Sequence, residues 1–300
     1  MLAIIIPYFK ISFFEATLQS LADQTDKRFK VYIGDDASLA NPEKLLEKYR
    51  DKFDFVYHRF QNNLGSISLT RQWERCIELT DNQDWIMILG DDDALGENVI
   101  ETFYQNLEEI EKAKSNVVRF STQIIDNINN KFFEIFTHPK LEKTADSYYR
   151  KFLRLSRSSL SEYIFKKEIY IKYKFKNYPL AWHSDDYAWL EFSENFLIYS
   201  INDAVISINV SAESLTGNVN NLIEKNKAEI AFYIDIITYQ LKKFKKYQIA
   251  RIVVQAEIAL KEYNKITLSE WKMLSKVYID NFLIFSFLKF IRRFVKSYFN

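Results

Sequence analysis

Cysteine is nearly absent, with Cys76 standing alone among 300 residues. A single thiol excludes a disulfide framework and a thiolate metal cluster, and it fits a reducing compartment. Histidine is almost as scarce. His58, His138 and His183 leave little room for a zinc cage, so any metal must be held mostly by carboxylates. Five glycines and four prolines exclude collagen-like and linker-rich chains. Neither G-x-x-x-x-G-K-[ST] nor G-x-G-x-x-G occurs, which disfavours P-loop ATPases, kinases and NAD-dependent dehydrogenases. No uncharged run reaches the ~18 residues that cross a bilayer. The apolar opening, Met1 to Pro7, lacks the basic leader of a secretory signal. The expectation is therefore a cytoplasmic chain, peripheral at most on the inner face of the cytoplasmic membrane.

What is present describes a folded chain. Hydrophobic residues at 48% can fill a sizeable core, and charged residues at 27% are too few for a disordered chain. The net charge of +1 conceals an asymmetry: residues 221–300 carry 15 Lys and Arg against 7 Asp and Glu. The division expected from this shift is a catalytic domain over 1–220 and a basic helical region over 221–300.

Short apolar runs alternate with helical patterns through the first half. Strands are expected at 2–6, 29–33, 53–58, 85–89 and 117–120. Helices are expected at 12–25, with Ser12 as N-cap, and at 42–49, 67–79 and 98–112. Further apolar segments lie at 161–165 and 198–208, the latter interrupted by Asn202-Asp203. Such alternation predicts an α/β fold with a mostly parallel sheet flanked by helices, and a C-terminal helical extension.

Two acidic clusters directly follow strands: Asp35-Asp36, and Asp91-Asp92-Asp93. In an open α/β sheet the carboxyl ends of the strands are where ligands bind. Adjacent carboxylates repel, and a hard divalent cation would neutralise them while leaving positions for phosphate oxygens. The competing reading is solvated turns or helix caps. A third pair, Asp185-Asp186, lies among Trp182, Tyr187 and Trp189. Apolar surroundings raise a carboxylate's proton affinity and suit a general base; an N-cap on a helix over 187–196 is the alternative.

These residues resemble family 2 glycosyltransferases, which have a GT-A fold. Ile4-Ile5-Ile6-Pro7-Tyr8-Phe9 resembles their opening strand, and Leu18-x-Ser20-Leu21-x-x-Gln24-Thr25 their first helix. Gly34-Asp35-Asp36-Ala37-Ser38 is similar to the "DDGS" turn, and Asn63-Leu64-Gly65 with Arg71-Gln72 to the next loop and helix. Gly90-Asp91-Asp92-Asp93 resembles the D-x-D segment, and Ser184-Asp185-Asp186-Tyr187 the "ED" base motif. The likeness runs in order over about residues 2–216. It implies that Pro7 and Phe9 line the nucleotide base, that Asp36 bonds its edge, that Asp91 reaches the ribose and that Arg71 supports the nucleotide site. Asp92, with Asp93 as the other candidate, would bind Mn²⁺ or Mg²⁺ on the donor diphosphate. Asp186 would be the catalytic base, with Asp185 beside it. Two departures stand out: Gly90 occupies the place of the first D-x-D-D acid, and Asn209-Val210-Ser211, before Ser214-Leu215-Thr216, lacks the family's Arg and His.

The implied activity is inverting transfer of a sugar from a nucleotide-diphospho-sugar to a hydroxyl of a glycan or lipid-linked glycan, in bacterial surface polysaccharide synthesis. The alternatives are an inactive membrane-associated scaffold and a sugar-nucleotide nucleotidyltransferase. The latter usually needs a Gly-rich basic first loop, which Pro7-Tyr8-Phe9-Lys10 is not. The tail is basic and aromatic, and residues 281–299 suit a helix on an anionic membrane, or one packed on the body with its lysines solvated, with Phe282, Phe285, Phe287, Leu288, Ile291, Phe294 and Val295 on one broad face. No nucleic-acid motif is present.

Overall fold

The structure, a computed structural model, describes residues 1–211, 221–263 and 266–299. Strands β1 (Leu2–Tyr8), β2 (Phe29–Asp35), β3 (Phe55–Arg59) and β4 (Trp85–Ile88) form its first half. Helices α1 (Phe14–Ala22), α2 (Glu43–Glu47), α3 (Leu69–Ile77) and α4 (Val99–Lys112) alternate with them. The chain continues through β5 (Ala94–Leu95), β6 (Val117–Asp126), β7 (Lys131–Phe132) and β8 (Leu141–Lys143). Helix α5 (Thr144–Phe152), β9 (Tyr163–Lys166), α6 (Lys167–Tyr173), α7 (Ser184–Phe192) and β10 (Leu197–Val210) follow. Helices α8 (Leu222–Asp235), α9 (Lys246–Tyr263), α10 (Leu268–Asp280) and α11 (Ile284–Phe299) close the chain.

One sheet runs in the order β3-β2-β1-β4-β9-β6-β10-β5. Strands β3, β2, β1 and β4 pair in parallel, as do β6 and β10. Strand β9 lies antiparallel between β4 and β6, so the sheet is mixed, with parallel ladders carrying its longest pairings. The apolar run of β1 follows from its central place. Leu2, Ile4 and Ile6 join one core with Phe14 and Leu18 of α1, while Ala3 and Ile5 on the opposite face are equally buried. A strand covered on both faces needs no alternation, and each such side chain contributes about 1.5–3 kcal/mol.

Several boundaries differ from expectation. Phe13, not Ser12, is the N-cap of α1, and Glu15 lies in its first turn. Helix α3 is capped by Ser68, whose Oγ accepts from the Arg71 N–H. Asn202-Asp203 does not break β10. The Asn202 side chain accepts from the His138 N–H at 3.0 Å and donates to its carbonyl at 2.8 Å, and the register with β6 shifts between Ile201 and Val205. A bulge holds the polar pair within a continuous strand.

A polar layer is buried beneath β6. Arg119, 1% exposed, donates to Ser147 at 2.5 Å, Glu142 at 2.9 Å and Ser200 at 3.0 Å. Arg150 grips the same Glu142 at 2.7 and 2.8 Å and approaches Nδ1 of His138 at 3.2 Å. Burial presses the Glu142 carboxyl upward, but the two guanidinium groups outweigh it and hold the carboxyl below its ordinary range. His138 is pushed down to about 2, by burial first and then by the surrounding arginines.

Chain contacts divide into two compact units, Met1–Asn177 with Ser184–Asn220, and Tyr178–His183 with Asn221–Asn300. In the second unit His183 stacks on Phe232 at 4.5 Å, and Tyr178 donates to Asp235 at 2.7 Å. Glu257 of α9 is clamped by Arg293 of α11 at 2.6 Å and Lys261 at 2.7 Å. The expected single apolar face of α11 is two faces. Phe287, Phe290 and Phe294 turn inward against Trp271 or Tyr278. Ile284, Phe285, Leu288, Ile291 and Val295 remain exposed, as does Phe282. The spacing of the inward phenylalanines, three and four residues, matches one helical stripe.

Candidate active site

At the carboxyl end of β2 the adjacent acids part company. Asp35 is fully buried and accepts from Tyr57 at 2.6 Å, Arg59 at 2.7 Å and the Ser38 N–H at 2.8 Å. These bonds close the turn after the strand. Asp36 accepts from the N–H groups of Leu64 and Gly65 at 2.7 and 2.8 Å, and from Arg75. A Cβ at position 65 would lie 2.5 Å from its Oδ2, so only glycine permits this approach. Burial pushes the Asp36 carboxyl up, and its N–H donors and Arg75 pull against that. A carboxylate offers about four acceptor positions, so three donors leave one for a ligand. The guanidinium here belongs to Arg75, which also lies 3.8 Å over the Phe60 ring. Arg71 sits one turn earlier on α3 with its side chain exposed. The repeat of Arg at four-residue spacing was the signal that sequence reading passed over.

The Asp91–Asp93 turn leaves β4 beside β1. Asp91 Oδ2 accepts from the N–H groups of Phe9 and Lys10 at 2.7 and 2.8 Å, binding the turn to the end of β1. Burial pushes its carboxyl up to about 6 against those donors. Asp93 accepts from Ser161 at 2.5 Å and from the Asn209 N–H at 3.0 Å. It too is pushed up to about 6, chiefly by burial, with Ser161, Asn209 and the Arg157 charge opposing. The Asn209 amide donates to the Asp92 carbonyl. Gly90 has a physical reason. A Cβ there would meet Asp93 Oδ2 at 2.9 Å and Asp92 Oδ1 at 3.0 Å, so the two following carboxylates fill the space of a side chain at 90.

The fit to a metal follows from this inventory. One oxygen of Asp91 and both of Asp93 already accept protein donors. Among the described residues no three His, Cys, Asp or Glu side chains are grouped to hold an ion. Asp92 turns its Oδ1 toward the space that a side chain at position 90 would occupy, 3.0 Å from a Cβ there. Mg²⁺ and Mn²⁺ accept one or two carboxylates together with substrate phosphates, and this turn fits that pattern rather than an all-protein cage. Residues 214–216 lie outside the described residues.

Helix α7 begins at Ser184, so Asp185 and Asp186 occupy its first turn rather than cap a later helix. Asp186 is 4% exposed, and Lys151 from the last turn of α5 donates to both its oxygens, at 2.5 and 2.6 Å. Trp189, one turn on, stacks on Tyr163 at 4.1 Å. The approach to α7 is strained: Leu180, Ala181 and His183 all have φ between 53° and 67°, a region that side-chain-bearing residues rarely adopt. A small hollow beside Asp186 is lined by Lys151, Arg157, Ser158, Tyr163 and Trp189; Asp36 and Asp92 do not line it.

The three acidic sites are joined by a frame of strand ends and hydrogen bonds. Asp36 and the Asp91–Asp93 turn sit at the carboxyl ends of strands flanking β1. The segment from Arg157 to Tyr163 reaches both remaining sites: Ser161 bonds Asp93, while Arg157 and Tyr163 line the hollow at Asp186. Lys151, Ser161, Arg157 and Asn209 were not singled out for these contacts by sequence, since none stands in a motif with the acid it touches.

A family model described as glycosyl transferase family 2 matches residues 3–176. No curated protein matches the chain significantly. Among solved structures, residues 1–349 of S. aureus TarS in complex with UDP-GlcNAc are similar, with 14% identity and a TM-score of 0.66, over 93% of this chain and 80% of that one. GalNAc-T7 with UDP, GalNAc and Mn²⁺ is similar at 12% identity and a TM-score of 0.56, over 94% of this chain and 55% of that one. The likeness places the mixed sheet and its helices in the GT-A fold. With the family model spanning more than half of its length, the chain belongs to glycosyl transferase family 2 and is by class a glycosyltransferase.

Proposed function

We propose that the chain moves a sugar, with inversion and metal assistance, from a nucleoside-diphosphate sugar to a hydroxyl of a glycan or lipid-linked glycan, in building a bacterial surface polysaccharide. The observation that carries the reading is the Asp91–Asp93 turn, bonded to the end of β1 and, through Ser161, to the segment lining the Asp186 hollow. Pro7 and the exposed Phe9 lie where β1 ends, against the nucleotide base. Asp36 offers its remaining acceptor position to the base edge, with Arg75 and Arg71 behind it. Asp91 meets the ribose through Oδ1. Asp92 would hold Mn²⁺ or Mg²⁺ at the donor, while Asp93, bonded to Ser161 and Asn209, fixes the turn. A divalent ion there supplies Lewis-acid stabilisation of the leaving diphosphate.

Asp186, with Asp185 beside it, accepts the proton of the attacking hydroxyl. The hydroxyl oxygen bonds the anomeric carbon as the bond to the diphosphate breaks on the opposite face. The scaffold and nucleotidyltransferase alternatives predict no release of nucleoside diphosphate. A panel of nucleotide sugars, beginning with the UDP-GlcNAc bound by the TarS relative, tests the reading by thermal stabilisation with Mn²⁺. At a hundredfold excess over Kd a true donor adds about 2.7 kcal/mol. Asp92→Ala should abolish the Mn²⁺-dependent part of that gain, and full turnover in chelator would remove the metal from the reading.

A membrane position for the acceptor is supported by α11. Ile284, Leu288, Ile291 and Val295 form an exposed apolar stripe, and Lys289, Arg292 and Lys296 form the neighbouring one. That is the pattern of a helix lying in an anionic interface, each cation contributing about 1 kcal/mol near the surface. No helix among the described residues is long and apolar enough to cross a membrane. Phosphatidylserine vesicles should capture the full chain in low salt and release it in high salt. Equal capture of Leu288→Ser/Ile291→Ser would reject α11 as the contact.

A further inference from the structure

We propose that Lys151 is a positioning residue for the base: its ammonium fixes where the Asp186 carboxylate points and keeps it in the ionised form that a proton acceptor requires. The inference rests on the assignment of Asp186 as that base. Its ground is geometric. Nζ lies 2.5 and 2.6 Å from the two carboxylate oxygens, and the carboxylate is almost wholly removed from water. Lys151 arrives from α5, a different element from the helix that carries Asp186, and it lines the same hollow.

Burial disfavours a charged carboxylate, and an uncompensated Asp186 would keep its proton and be unable to accept another. The first turn of α7 gives modest help through the helix dipole. A cation in direct contact gives more, because Coulomb attraction grows as separation and effective dielectric fall. Among the described residues, charged and titratable groups facing the pair include Asp185 on α7, Glu162 and Tyr163 before and in β9, and Arg157 on the hollow's edge. Arg157 is itself bonded to Glu162 at 3.1 Å. Asp185 and Glu162 are acids, the Glu162 carboxyl being pushed up by burial, so neither supplies the positive charge that an ionised Asp186 needs. Burial works against the charge on Lys151, but Asp186, Asp185 and Glu162 outweigh it and raise its pKa above the ordinary lysine value. Lys151 therefore stays cationic wherever the enzyme works. When the acceptor's O–H bond breaks and the proton passes to Asp186, the pair goes from neutral to +1. The ammonium then favours departure of that proton to water and restores the carboxylate for the next turnover.

The test follows the Asp186 carboxyl directly. Protein labelled with carboxyl-¹³C aspartate is titrated by NMR, with the Asp186 signal assigned by its loss in Asp186→Asn. In Lys151→Met, and in Lys151→Gln, which keeps a hydrogen-bond donor without the charge, the midpoint is expected to rise by about one pH unit or more. Lys151→Arg is expected to stay within about half a unit. An unmoved midpoint in both neutral variants overturns the proposal, and a fall in Tm without a shift would assign Lys151 a structural role alone. Release of nucleoside diphosphate by Asp186→Asn keeps the two readings apart. Normal turnover there removes Asp186 as base, whereas an unmoved midpoint removes only the role of Lys151.

Discussion

Asp186→Asn is expected to cut turnover roughly a hundred- to ten-thousand-fold, the usual worth of a general base, while thermal stabilisation by the donor is retained. The amide is nearly isosteric and still offers one oxygen to Lys151, but it cannot take up a proton. Its second arm would present N–H to an ammonium that now meets a carboxylate oxygen at 2.6 Å, so some stability should be lost as well. Because the Lys151 side chain is 28% exposed, water can restore part of its solvation. The stability loss is accordingly expected to fall short of the about 3–5 kcal/mol typical of a fully buried pair. Donor affinity and Tm, measured beside turnover, separate loss of chemistry from loss of fold. Near-normal turnover would move the base elsewhere, with Asp185 the first place to look.

The second large effect is expected far from any chemistry. Arg119→Ala should lower the free energy of unfolding by about 3–5 kcal/mol, read from equilibrium urea denaturation. The guanidinium meets Glu142, Ser147 and Ser200 in a setting where it is 1% exposed. Its removal leaves two hydroxyls and one carboxylate oxygen short of a donor, and it leaves a void. Arg150 still holds Glu142, which favours the lower end of the range. Combining Arg119→Met with Glu142→Gln should cost less than the sum of the single changes, with a coupling of about 0.5–3 kcal/mol. Strict additivity would show that the layer is not a network.

The first half of the fold was legible because β1, β2 and β4 are covered on both faces and read as unbroken apolar runs, two of them followed by acids. The second half was harder for reasons visible in particular residues. Asn202-Asp203 reads as a turn in sequence, yet Asn202 spends its amide on the His138 backbone and the strand continues. Strand β9 enters antiparallel between β4 and β6, and four residues carry no mark of direction. In the site, two of the three acid groups stood out by clustering after strands, and the family resemblance implies roles for all three. Their partners did not, because Lys151 lies 35 residues from Asp186 and Asn209 lies 116 from Asp93. The aromatic tail was read as one face because phenylalanine serves a core and an interface equally well. Trp271 and Tyr278 are the rings against which the inward ones pack.

The glycine at position 90 bears on how this enzyme can be altered. Introducing an aspartate there would drive a new side chain into Asp92 and Asp93 and add a fourth carboxylate to a crowded corner. Those carboxylates are tied in turn to Ser161 and, through the Asp92 carbonyl, to Asn209. Placing an acid at position 90 therefore calls for changes at Ser161 and Asn209 as well, and replacing this loop alone would transplant the letters without the geometry.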